Sequence, residues 1–446
     1  MRARSVGVVA AAIAATLAAA APARAACPVY TQAQCQAGIV TNCPAAGPAV
    51  TCIVSGWDPT PANRTKTLGG RVVYKEVCVV CGGTIAVTPF DNVAANKSTK
   101  GNLELVAEEI YVDNNWNAGV TNFTGGSCTL ATSNDCWFGT TCLNFTGNRR
   151  CHIKSNVTAL GAGYPAKLCG DGPGPAAATG GRGGCSLRDS GGGGGHFGGG
   201  GRGTVDCPGG VCTFPHDWEE DCGNTLNATG TACTDTTDCR DHNALPTVAG
   251  QPYRHSIWAV EFGAAGGDKG CRDNDGFPSG AWPQCVQAGP GGGRIVLVGH
   301  NAGGTGIVKI EGRVIADGRG GCGAGNDSAG GGAGGTVLIV GDLVTIAPGA
   351  VDPTIPPMVS AAGGQGGDTQ GLTANPPRRD CPNVGFTADC TPQQGGTCDD
   401  CAGGGGGGVI SIMSRSSVAT LGETVQFNVG GAKGGVCASC TGEAGG

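Results

Sequence analysis

The sequence predicts an all-β fold: a disulfide-braced parallel β-solenoid, or β-helix, with glycine-rich turns and irregular cysteine-rich insertions. Three observations predict it. Glycine fills 87 of 446 positions, against roughly 7% in ordinary chains, and it falls in runs without the every-third-residue period of collagen. Short Val/Ile-rich stretches alternate with those runs, as strands between turns would. Cysteine numbers 26 while aromatics are only 5% of residues, so cross-links are expected to replace part of the missing core.

Residues 1–25 read as a signal peptide. Arg2 and Arg4 precede an apolar run from Val6 to Ala20, and Ala23-Arg24-Ala25 fits a small-residue cleavage site. The run is too short to span a bilayer, and no later stretch is long enough. Arg24 stands where a lipoprotein signal needs an apolar residue, three before Cys27. The expected location is extracellular or at the cell surface, an oxidising compartment in which an even number of cysteines should largely pair. The net charge is −6, and more negative still without Arg2, Arg4 and Arg24. That argues against nucleic acid or an anionic membrane as partner.

Residues 26–127 form a cysteine-containing β segment. Cys27 to Asn63 is rich in Cys, Pro and small residues and reads as a disulfide-tied entry. Strand signals follow at Arg71–Tyr74, Cys78–Val87 and Gly101–Val112. Residues 128–151, CTLATSNDCWFGTTCLNFTGNRRC, place Cys128, Cys136, Cys142 and Cys151 in a compact unit. This spacing resembles small cysteine-rich modules of the Dickkopf-like kind. The resemblance implies a disulfide knot and no activity.

Residues 152–290 are a Gly/Pro-rich loop region. Its densest stretch is Phe214-Pro215-His216-Asp217-Trp218-Glu219-Glu220-Asp221. Paired carboxylates about 5–10 Å apart can hydrolyse glycosides, and aromatics stack on sugar faces, so His216, Glu219 and Glu220 are the catalytic candidates of an enzyme reading. The plainer reading is a solvated acidic loop beside Cys222. No Gly-x-Ser-x-Gly, His-Glu-x-x-His or phosphate loop is present.

Residues 291–446 carry the glycine-rich β-repeat. Strand-like stretches at 294–298, 307–316, 336–340, 343–346, 409–413 and 424–429 are separated by glycine runs, the pattern of stacked repeats. Cys398 and Cys401 precede one run. Cys437 and Cys440 follow at the same offset of 39 residues (437 − 398 and 440 − 401). Coils of that length would stack them within disulfide reach, as Cys398–Cys437 and Cys401–Cys440. No helix follows Cys401 or Cys81, against a redox pair, and no neighbouring His supports zinc. The region stops at CTGEAGG where another strand would begin, so further chain or a partner is expected over that end.

No cofactor is expected. Calcium is the ion with a motif to suit it: Gly363-Gly364-Gln365-Gly366-Gly367-Asp368 opens like a calcium-binding nonapeptide, and Asp327 sits in a related turn. Each stands alone, and the plainer reading is a glycine turn capped by its Asp.

The phrases AVEFGAAGGDKGC, GAGNDSAGGGAGGTVLIVGD and CDDCAGGGGGGVISI resemble the glycine-rich, cysteine-rich secreted proteins of myxobacteria and related bacteria, sometimes called PGRS-like. The resemblance implies an exported surface protein and names no catalytic residue. The expected function is structural or adhesive: binding an extracellular polysaccharide or cell-envelope component. The rival is a carbohydrate-active enzyme, a polysaccharide lyase or hydrolase on a β-helix, by fold analogy alone.

Overall fold

The computed structural model describes residues 27–119, 140–145, 148–166, 172–175, 191–203, 249–253, 255–267, 288–303, 305–321, 323–324, 327–349, 356–367, 402–415, 420–422, 424–434 and 445–446. Its regular structure is almost entirely strand. The one α-helix among these residues, α1 (Gln32–Gln36), is a single turn closed by a Thr31/Gln34 capping box.

The N-terminal strands are β1 (Gly47–Ser55), β2 (Thr65–Leu68), β3 (Gly70–Val80), β4 (Thr84–Val87), β5 (Asn102–Ala107) and β6 (Glu109–Val112). Next come β7 (Trp116–Gly119), β8 (Thr140–Phe145) and β9 (Asn148–Lys154), a small antiparallel sheet, and β10 (Asn156–Thr158). The later strands are β11 (Arg294–Gly299), β12 (Ile307–Ile310), β13 (Arg313–Ile315), the short antiparallel pair β14 (Gly323–Ala324) and β15 (Asp327–Ser328), and β16 (Thr336–Gly341). They end with β17 (Leu343–Ile346), β18 (Met358–Ser360), β19 (Val409–Ser414), β20 (Thr420–Leu421) and β21 (Gln426–Asn428).

Two parallel sheets dominate. Ten strands form one sheet in the order β19-β16-β11-β5-β3-β6-β12-β17-β20, with β1 paired to β3. Six form the second, in the order β2-β4-β10-β13-β18-β21. The parallel β architecture is as expected, but the solenoid is not. The larger sheet curls into a near-closed, barrel-like layer around β3, and the second sheet packs as a separate layer. Strand β3 is the physical reason. It is 11 residues long, and it pairs with β5 through Gly70–Val73 and with β6 through Glu76–Val79. One unbroken strand thus joins both halves of the sheet. Nor is there a constant coil length. The stacked strands β5, β11, β16 and β19 begin at Asn102, Arg294, Thr336 and Val409, at unequal intervals.

Parallel registers align like side chains into columns. Leu103, Ile295, Val337 and Ile410 form one, and Leu105, Leu297, Ile339 and Ile412 a second. Val77, Ile110, Val308 and Val344 form a third. Ile85, Val157, Val314 and Val359 form a fourth, on the second sheet. These columns meet in one core between the sheets. Each fully buried Val, Ile or Leu contributes about 1.5–3 kcal/mol. The columns therefore supply the burial that the scarce aromatics do not.

The disulfides formed among the described residues lie at the N-terminal end: Cys27–Cys78, Cys35–Cys81 and Cys43–Cys52. The entry segment is tied down as its composition suggested. The Cys78-x-x-Cys81 pair at the end of β3 and in the turn after it is split between two partners, so both sulfurs are cross-links to α1 and its leader. Proteolytic mapping without reduction is expected to recover these three pairs, and Cys27→Ala/Cys78→Ala is expected to lower stability by about 2–4 kcal/mol in a denaturant melt.

Candidate functional site

The glycine runs are not the turns that the sequence suggested. They form a third layer, made of extended segments hydrogen-bonded to one another. The strands deliver them. Residues 289–293, 330–335 and 402–408 run directly into β11, β16 and β19, while 316–319 and 361–364 leave β13 and β18. Because β11, β16 and β19 are parallel and in register, their lead-in segments arrive side by side.

Segment 330–335 shows the layer's rule. The N–H groups of Gly330 and Ala333 donate to Gly267 and Ala264 at 2.8 and 2.9 Å. Those of Gly331 and Gly334 donate to Gly403 and Gly406 at 3.0 and 2.9 Å, and those of Gly332 and Gly335 to Arg319 and Ala316 at 2.8 and 2.7 Å. Donors thus cycle through three neighbours every three residues, as expected of extended helices with three residues per turn. Its carbonyls accept from Gly289, Gly292, Gly194 and Gly364. One segment therefore touches six others. At the glycine positions such spacing leaves no room for a side chain, although Ala333 is accommodated within the segment: a Cβ on Gly331 would lie 1.9 Å from the Gly364 carbonyl oxygen.

Two histidines close the flank of this layer. His196 is fully buried, and its Nδ1 lies 2.7 Å from the Gly334 carbonyl oxygen. It occupies a place where backbone donors serve the neighbouring carbonyls. His255 places Nδ1 2.8 Å from the Ser256 carbonyl oxygen, and the two Nε2 atoms meet at 2.8 Å. Phe197 and Tyr253 pack around the pair, their ring centroids each 5.1 Å from that of His196. The Tyr253 N–H donates to the His196 carbonyl at 2.6 Å, which locks the two segments together. Burial, and secondarily His255, push the His196 imidazole down to about 3, so it is neutral at neutral pH.

Three turns stack at the opposite corner of the barrel-like sheet. Asp113 accepts from the Cys81 N–H at 3.0 Å, from Asn115 Nδ2 at 2.8 Å and from the Ser155 hydroxyl, which itself accepts from the Gly82 N–H at 2.8 Å. Lys154, also buried, donates to the Asn114 carbonyl at 2.8 Å. Cys81 is held at φ 57, in the left-handed region, by its disulfide and this carboxyl. Burial pushes Asp113 up to about 6 against the hydrogen bonds that pull it down. Both carboxylate oxygens of Asp113 are thus engaged by main-chain and side-chain donors that hold the turns together.

A third cluster ties the 249–267 segment to the sheets. Lys97 pairs with Glu261 at 2.7 Å and lies over the Tyr164 ring, and the Tyr164 hydroxyl donates to Glu261 at 2.9 Å. Arg294, anchored on Asn102 at 2.8 Å, reaches the Trp258 carbonyl at 3.4 Å. The Trp258 side chain is 59% exposed.

Most of the residues singled out from the sequence lie outside the described residues: His216, Glu219, Glu220, Asp368, Cys128, Cys136, Cys398, Cys401, Cys437 and Cys440. Cys142 and Cys151 stand opposite one another in the register of β8 and β9. Asp327 falls in the short antiparallel pair β14–β15. Among the described residues no three His, Cys, Asp or Glu side chains gather as a metal would need. Sequence reasoning missed the His196–His255 pair, because 59 residues and two glycine runs separate its members. Compared with known proteins, the chain matches no family model, no curated protein and no solved structure.

Gly331→Ala is expected to lower stability by about 3 kcal/mol or more, since only backbone could give way. Gly303→Ala, whose Cβ would meet nothing closer than 3.6 Å, is expected to stay within about 0.5 kcal/mol of wild type. Paired thermal melts check this. Asp113 has a folded-state value raised above its unfolded one, near 3.9. Its stabilising contribution is therefore present below that value and is lost as pH rises through about 6. Urea melts at pH 4 and pH 7 should show this as a fall of about 2–3 kcal/mol, which Asp113→Asn removes from the difference between the two pH values.

Proposed function

We propose that the protein is an exported scaffold that binds a polysaccharide or cell-envelope polymer, a structural and adhesive role without catalysis. The glycine layer carries this reading. A large share of the chain is committed to main-chain hydrogen bonding and presents little beyond backbone, alanine and hydrogen, so it can build shape but not acid–base or nucleophilic chemistry. The buried polar side chains described above serve the same end, since Asp113, Ser155, Lys154 and Arg294 all bind backbone or structural partners. Disulfide bonding suits an oxidising compartment outside the cytoplasm. Among the described residues no helix is long and apolar enough to cross a membrane.

Trp258 is the contact we assign to the polymer. Its indole is exposed on a segment whose main chain is pinned by Arg294, so it offers a large flat face at low entropic cost. Sedimentation with insoluble polysaccharides and isolated cell envelopes is expected to deplete the protein without releasing reducing ends or unsaturated sugars. Trp258→Ala is expected to weaken retention at least fivefold. Product release that disappears with Glu219→Gln would replace this reading with the carbohydrate-active enzyme.

A further inference from the structure

The two histidine rings pose a problem of proton accounting. Carbonyl oxygens only accept hydrogen bonds, so Nδ1 of His196, at 2.7 Å from Gly334 O, must carry a proton. The same holds for Nδ1 of His255, at 2.8 Å from Ser256 O. In the neutral rings this leaves both Nε2 atoms as bare lone pairs, and they face each other at 2.8 Å. Two lone pairs at that distance repel unless a cation lies between them. A proton would serve, but it would make an imidazolium beside a fully buried ring. Among the described residues no carboxylate lies within ion-pairing distance of either ring to offset that charge.

We propose that His196 and His255 form a binding site for a transition-metal ion of the Zn²⁺, Cu²⁺ and Ni²⁺ class, ligated through their two Nε2 atoms. The surroundings are those such a ligand pair needs. Metal-binding imidazoles donate their other N–H to a carbonyl or carboxylate, which fixes tautomer and ring direction, and both rings here do so. Imidazole nitrogen suits this class of ion over calcium or magnesium. Zinc–nitrogen bonds of about 2.0–2.1 Å at a tetrahedral angle set the nitrogens about 3.3 Å apart. The pair must therefore open by about half an ångström. His196 is held by the glycine layer, whereas His255 lies on a part-exposed segment, so the movement falls to His255. Its solvent side leaves the remaining coordination positions to water, which makes this an open site with two protein ligands. Phe197 and Tyr253 limit the rings' rotation and keep the nitrogens converged.

The test uses the full-length, oxidised protein. Zn²⁺ added at neutral pH is expected to raise the melting temperature by several degrees, and one equivalent of Cu²⁺ is expected to give an EPR spectrum with coupling to two imidazole nitrogens. His255→Gln is expected to keep the metal-free melting temperature, lose one nitrogen coupling and weaken binding at least tenfold. A second measurement needs no variant: ¹⁵N shifts of the wild-type rings should move at Nε2 and not at Nδ1 on adding Zn²⁺. An unchanged melting temperature, oxygen-only ligation of Cu²⁺, or binding undiminished in His255→Gln would overturn the site and leave the pair holding a proton alone. None of these results depends on polymer binding.

Discussion

The structure depends on backbone hydrogen bonds made sideways between glycine segments. Each such bond contributes little by itself, because folding exchanges it for bonds to water. The segments also lose more conformational freedom on ordering than any other residue type would. What makes the layer hold is its lack of alternatives: segment 330–335 has neighbours on six sides, so its amides and all its carbonyls but one find backbone partners, and the Gly334 carbonyl accepts from the His196 ring instead. At most positions the spacing that permits this is too close for a Cβ, which is why glycine dominates these segments and alanine enters at a few places such as Ala264, Ala316 and Ala333.

The sheets make the layer possible. A free polyglycine segment would not find six partners at one register. Here each segment begins or ends in a strand whose register is already set by columns of Val, Ile and Leu. Strands β11, β16 and β19 present their lead-in segments in parallel, and β13 and β18 send theirs back the other way. The apolar columns provide the stabilisation and the glycine layer inherits the alignment. The disulfides act at the other end, where α1 and its leader pack in a small apolar cluster with Val80 and Tyr111 and are joined to β3 and its following turn at Cys78 and Cys81.

Chemistry-bearing side chains gather where this regularity is interrupted. Asp113, Ser155 and Lys154 stack at turns between strands, and His196 and His255 meet at the flank of the glycine layer. The first group is tied into main-chain and side-chain hydrogen bonds between the turns and acts as mortar. The second has both outer nitrogens engaged and both inner nitrogens converging, an arrangement that local turn geometry does not require. The difference lies in the titratable groups after the hydrogen bonds are counted: both Asp113 oxygens are engaged, whereas two lone pairs face each other at the histidines.

The sequence by itself determined the class of structure. β-branched runs at 294–298, 336–340 and 409–413 read as strands, while their parallel registers were expected only through a solenoid that the structure does not form. The tied entry segment was legible in the same way, since Cys27, Cys35 and Cys43 lie in a stretch with no other means of order. The closure of the large sheet was not legible, because it turns on β3 pairing with two different strands, and neither partner is adjacent to the half it meets. The glycine runs read as turns because local pattern carries no sign of neighbours; their length, beyond any turn's need, was the available clue. The histidine pair was decided by tertiary structure alone, since only the lateral packing of two remote glycine segments sets Nε2 against Nε2.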